Sequence, residues 1–87
     1  SFDNLFRIST LNNLEKLDMS CNKLKRIQLK DFNFKNQISY LNLSNNDIET
    51  IDNHTFDKCS VLLILDLSFN KIKVFSYQRL NSVEFFL

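Results

Sequence analysis

The strongest constraint on this chain is a period: segments beginning at Leu14, Ile38 and Leu62 fall into register at a spacing of 24 residues. They open LEKLDMSCNKLKRI, ISYLNLSNNDIETI and LLILDLSFNKIKVF. A unit of this length cannot bury its apolar side alone, so the copies must stack to make a core. The apolar slots are Leu14, Leu17, Met19, Leu24 and Ile27, then Ile38, Leu41, Leu43, Ile48 and Ile51, then Leu62, Leu65, Leu67, Ile72 and Phe75. A further slot, five residues on, holds Phe32, Phe56 and Leu80, and Ile8 takes it in an incomplete leading copy.

Alternation within each opening sends Leu17 and Met19, Leu41 and Leu43, and Leu65 and Leu67 to one face of a short strand. Strands are expected near residues 16–20, 40–44 and 64–68, side by side in a parallel sheet at about 4.8 Å spacing. The Phe32 and Phe56 column fills the back of the core on irregular or short helical segments. Asn22, Asn46 and Asn70 recur where each strand turns away, and a buried Asn there satisfies backbone groups of adjacent coils.

The pattern L-x-x-L-x-L-x-x-N-x-L-x-x-L, with its Asn column and 24-residue length, resembles the typical leucine-rich repeat over essentially the whole chain. That resemblance implies an α/β leucine-rich-repeat solenoid: a right-handed coil with a short parallel sheet on the concave face and irregular or short helical segments on the convex face. The repeats are expected at 14–37, 38–61 and 62–85. A partial copy at 1–13 and the start of another at 86–87 suggest a piece of a longer array. Phrases such as LNLSNN and LDLSFN, with the Phe column, look like Toll-like receptor ectodomains and related invertebrate proteins. This implies ligand binding or dimerisation in innate immunity or cell adhesion.

Composition narrows the chemistry. Eleven basic and ten acidic side chains leave a net charge of +1, which does not make nucleic acid a default partner. Glycine and proline are absent, so glycine-rich phosphate loops are excluded and the turns fall to Asn, Asp and Ser. No apolar run reaches the roughly 18 residues of a membrane span, and the N-terminal residues carry no signal-peptide pattern. His54 is the single histidine and lies in a turn, with no Cys–His or carboxylate pair placed in a shared pocket. The expectation is a non-enzyme with no metal and no cofactor. Cys21 and Cys59 sit on opposite sides of different coils and are expected to be free thiols.

Function is left to the strand face. Alternation projects the columns Lys16, Tyr40 and Ile64; Asp18, Asn42 and Asp66; and Ser20, Ser44 and Ser68, flanked by Glu15, Ser39 and Leu63 and by Cys21, Asn45 and Phe69. Candidate partner contacts are Lys16, Asp18, Tyr40, Asn42, Leu63, Ile64, Asp66 and Phe69. Leu63, Tyr40, Ile64 and Phe69 form an apolar to aromatic strip of the kind that anchors interfaces, or else they cover the sheet edge or an absent neighbouring coil. Asp18 and Asp66 are about 10 Å apart by strand spacing, too far to chelate one ion together. The basic residues Lys23, Lys25, Arg26 and Lys30 are partly answered by neighbours, with Lys23, Asp47 and Lys71 in one lateral row and Lys25, Glu49 and Lys73 in the next. Asn42-Leu43-Ser44 and Asn53-His54-Thr55 are N-glycosylation sequons, of which Asn53 should be the accessible one.

These features point to protein recognition by an extracellular or cell-surface protein, a receptor ectodomain or a secreted immune or adhesion factor. The partner would be a protein ligand or receptor, with no direct membrane insertion by this segment and dimerisation open in the full-length protein. An intracellular scaffold or adaptor, and a spacer within a longer array, are the alternative readings.

Overall fold

The computed structural model describes residues 14–73, 75 and 83–87. The elements run β1 (Lys16–Asp18), β2 (Arg26–Ile27), α1 (Leu29–Phe32), β3 (Tyr40–Asn42), β4 (Thr50–Ile51), β5 (Ile64–Asp66) and β6 (Glu84–Phe86). The leading copy at 1–13, with Ile8, and the Leu80 slot lie outside the described residues.

One parallel sheet has the order β1-β3-β5-β6 and a second, two-stranded parallel sheet pairs β2 with β4. Lys16, Tyr40 and Ile64 are partners in register, as are Leu17, Leu41 and Leu65 and then Asp18, Asn42 and Asp66. In the smaller sheet Arg26 pairs with Thr50 and Ile27 with Ile51. Both sheets therefore repeat the 24-residue offset of the sequence. This is a repeat fold of stacked parallel strands.

The core is the set of inward slots. Leu17, Met19, Leu24 and Ile27, Ile38, Leu41, Leu43 and Ile48, and Leu62, Leu65 and Leu67 are all buried, with Leu14, Ile51, Ile72 and Phe75 packed partly exposed against them. Behind the sheet Phe32 and Phe56 are fully enclosed, their ring centroids 5.5 Å apart at 47°. Phe32 is carried by the single turn α1, where the Gln28 N–H donates to Asp31 Oδ2 at 2.8 Å. Phe56 lies in the turn 53–58, so both expected forms of the back segment occur.

Two features differ from the sequence reading. The fourth strand, β6, pairs Glu84 with Ile64 and Phe85 with Leu65, only 20 positions on. A strict 24-residue count starts the next copy at 86–87, ahead of its own strand, whereas the strand is already formed at Glu84–Phe86. Phe85 replaces the usual Leu in the inward column and stacks on Phe75, ring centroids 5.0 Å apart and nearly parallel. The strands also stop after three residues. The N–H of Ser20, Ser44 and Ser68 turns to a side-chain oxygen of Asp18, Asn42 and Asp66 respectively, so it leaves the ladder.

The Asn column closes the coils. Asn46 Nδ2 donates to the carbonyls of Leu43, Ser44 and, one coil back, Met19, and its Oδ1 accepts from the Leu24 N–H. Asn70 repeats this arrangement one coil on, to the carbonyls of Leu67, Ser68 and Leu43 and the N–H of Ile48. Each Asn thus ties its own strand exit to the preceding coil.

Candidate recognition surface

The outward side of the larger sheet is built from two columns. Lys16, Tyr40, Ile64 and Glu84 form one, and Asp18, Asn42, Asp66 and Phe86 the other. Tyr40 and Ile64 are half-buried at the centre, while Lys16, Asp18, Glu84 and Phe86 are exposed at the margins. Glu84 and Phe86 were missed as surface candidates because the period assigned them to no strand. Their apolar neighbours, Val83 and Phe85, were the available signal.

The second column is held by a repeated local device. Asp18 Oδ1 accepts from both the N–H and the hydroxyl of Ser20, at 2.9 and 2.6 Å. Asn42 Oδ1 does the same for Ser44 at 3.0 and 2.7 Å, and Asp66 Oδ1 for Ser68 at 3.0 and 2.6 Å. The serines therefore position the carboxylates instead of offering free hydroxyls. The paired Ser20 bonds hold the Asp18 carboxyl below its ordinary value, because they favour the charged form.

At the strand exits Cys21, Asn45 and Phe69 share a left-handed backbone, with φ of 59°, 55° and 57°. Asn accepts this conformation readily, whereas a bulky residue pays about 1–2 kcal/mol for it. Phe69 is nevertheless 77 % exposed, so burial in its own fold does not compensate it. Leu63 is 59 % exposed at the other end of the strand, beside exposed Val61. Leu63, Ile64, Tyr40 and Phe69 thus supply a discontinuous apolar strip from one end of the sheet to the other.

The β2–β4 flank is chemically different. Asp47 reaches Lys71 at 3.4 Å. The remaining partners in the lateral rows, Lys23 to Asp47 and Lys25 to Glu49 to Lys73, form no ion pair among the described residues. Instead Arg26 places Nη2 2.8 Å and Nε 3.1 Å from Asp52 Oδ1 across the two coils. Arg26, with help from the Leu29 N–H, holds the Asp52 carboxyl below its ordinary value against the opposing effect of desolvation.

Other singled-out groups occupy structural places. His54, at φ 63°, lies 2.8 Å through Nδ1 from Asp57 Oδ2 within the turn. Cys59 is buried, its Sγ accepting from Asn36 Nδ2 at 3.5 Å, whereas Cys21 is an exposed free thiol. Asn53 is exposed, and Thr55 of its sequon is buried with its hydroxyl donated to the Asp52 carbonyl. Asn42 is half-buried, with Oδ1 engaged by Ser44 and Nδ2 without a hydrogen-bond partner among the described residues. Among the described residues no cluster of His, Cys, Asp or Glu could hold a metal ion, and no helix is long and apolar enough to cross a membrane.

Stacked parallel strands, an inward leucine column and a hydrogen-bonded Asn ladder define a repeat scaffold that presents a surface. The Leucine rich repeat family matches residues 36–86, more than half of the chain, and a second Leucine Rich Repeat match covers residues 13–34. The chain belongs to the leucine-rich repeat family, whose domains generally mediate protein–protein interaction and are typically non-enzymatic binding scaffolds. No curated protein and no solved structure matches it.

Proposed function

We propose that this chain recognises a protein partner through the outward side of the β1-β3-β5-β6 sheet, as the concave face of a right-handed coil in an extracellular or cell-surface protein. The observation that carries this reading is Phe69, a bulky aromatic kept exposed in a backbone conformation that disfavours it. An exposed aromatic anchor beside apolar neighbours and a polar rim is the usual anatomy of an interface hot spot. Tyr40, Ile64, Leu63 and Phe69 act as anchors. Lys16, Asp18, Asn42 and Asp66 supply orientation.

Replacing Tyr40 by Ser together with Phe69 by Asn should lower affinity for a strand-face partner at least about tenfold, the scale of a single hot-spot truncation. The thermal midpoint should hold or rise, since Asn45 already occupies the position equivalent to Phe69. Undiminished binding in a titration by calorimetry would place the interface elsewhere or make the segment a spacer.

The extracellular part of the reading is supported by the exposed Asn53 sequon. Production of the chain in a secretory host should yield a glycan on Asn53, read by peptide mass spectrometry. Secreted, folded protein with bare Asn53 would favour the second reading, an intracellular scaffold or adaptor, which the exposed thiol of Cys21 also favours. A glycan on Asn42 would stand in the middle of the strand face and move the partner to another surface.

A further inference from the structure

We infer that the partner of this face is a basic protein segment, whose Lys or Arg side chains meet Asp18 and Asp66 while an adjacent aromatic or aliphatic residue packs on Tyr40 and Ile64. The inference rests on the strand-face reading above and adds the chemistry of the occupant.

Charge is segregated across the molecule. The outward columns and the position flanking them carry Glu15, Asp18, Asp66 and Glu84 against the single cation Lys16. The β2–β4 flank carries Lys23, Lys25, Arg26, Lys71 and Lys73 against Asp47, Glu49 and Asp52. A chain of nearly balanced charge therefore presents a negative face and a positive one. Complementary potentials steer encounter and select the partner's sign.

The two aspartates are also prepared for such a contact. Each spends Oδ1 on its serine and leaves Oδ2 without a hydrogen-bond partner among the described residues. The serine bonds fix the side-chain rotamers before any partner arrives, which removes part of the entropic cost of binding. About 10 Å separates the two positions, by the strand spacing. That suits two basic side chains, one on each side of Asn42, better than one shared ion. Tyr40 lies beside this column and is partly exposed, and a guanidinium stacks favourably on an aromatic ring.

Three synthetic peptides test the assignment by calorimetry: one alternating Arg and Phe, one alternating Glu and Phe, and one alternating Arg and Ser. The Arg–Phe peptide should bind at least about tenfold tighter than either of the others, and its affinity should fall with added salt. The double variant Asp18→Asn, Asp66→Asn should erase most of that advantage. Its fold is protected because Asn42 already makes the same serine clamp through Oδ1.

Equal binding of the Arg–Ser and Arg–Phe peptides, or of the Glu–Phe and Arg–Phe peptides, overturns the inference. Arg–Phe binding lost on Tyr40→Ser but unchanged in the double Asn variant also overturns it, and leaves the strand-face reading standing. Binding unaffected by either change removes both. Concentration-dependent self-association in sedimentation, relieved by Tyr40→Ser, would make a second copy the occupant and likewise overturn it.

Discussion

Phe56→Ala is expected to lower the free energy of unfolding by about 3–5 kcal/mol, the range for truncating a fully buried aromatic. Phe56 has no exposed surface and rests against Phe32 at 5.5 Å between ring centroids. Its ring joins one coil to the next, so the change removes buried area, an aromatic pair worth about 0.5–1.5 kcal/mol and part of an inter-coil contact together. In a stack of repeats that contact stabilises both neighbours. A domain of ordinary stability has only about 5–15 kcal/mol to lose, and urea unfolding followed by circular dichroism should show a sharply lower midpoint. A loss below about 1 kcal/mol would mean that Phe56 does not bridge the coils.

Asn46→Ala should cost about 1–3 kcal/mol, the desolvation penalty of a buried backbone group left unpaired. The substitution leaves the N–H of Leu24 without its acceptor and takes one of two amide donors from the carbonyls of Met19 and Leu43, which keep Asn22 and Asn70. Asn22→Ala is the control. Among the described residues its amide donates to the carbonyls of Met19 and Ser20, and it is exposed, where water can replace a lost donor, so its cost should stay below about 1 kcal/mol. Equal losses at the two positions in chemical denaturation would refute the inter-coil role. Asn46→Asp sharpens the test, since a carboxylate faces the same carbonyl oxygens without donors. Burial there raises the folded-state pKa of the introduced acid, so that variant binds more protons folded than unfolded and loses stability as pH rises.

The concave-face proposal and the core argument meet at the strand exits. Cys21, Asn45 and Phe69 adopt one backbone geometry, and only the Asn suits it intrinsically. The fold tolerates the other two because the Asn ladder fixes the turn from beneath. On the proposed reading the partner contact at Phe69 has a local conformational cost, which the Asn46 and Asn70 bonds help to offset.

The repeated slots were legible because each is a local pattern copied at a fixed interval. Leucine positions, strand starts at residues 16, 40 and 64, the Phe column and the Asn ties all follow from burying one side of identical stacked units. The sequence also placed Tyr40 and Ile64 outward by alternation, with Leu63 and Phe69 in the columns that flank them. The last strand was not legible, since a coil shortened to 20 residues breaks the interval that made the others visible.

Tertiary structure decided what depends on side-chain geometry between coils. It chose Asp52 for Arg26, whose planar fork holds one carboxylate at two nitrogens. Among the described residues it formed one ion pair of the expected lysine rows, Asp47 with Lys71, because exposed ion pairs rarely offset the entropy of fixing long side chains. It turned the hydroxyls of Ser20, Ser44 and Ser68 onto Asp18, Asn42 and Asp66, so the oxygens of that row are held in fixed positions. Sequence by itself fixed the periodic core. Only the folded chain set the direction of the polar atoms above it, because hydrogen bonds are directional and apolar burial is not.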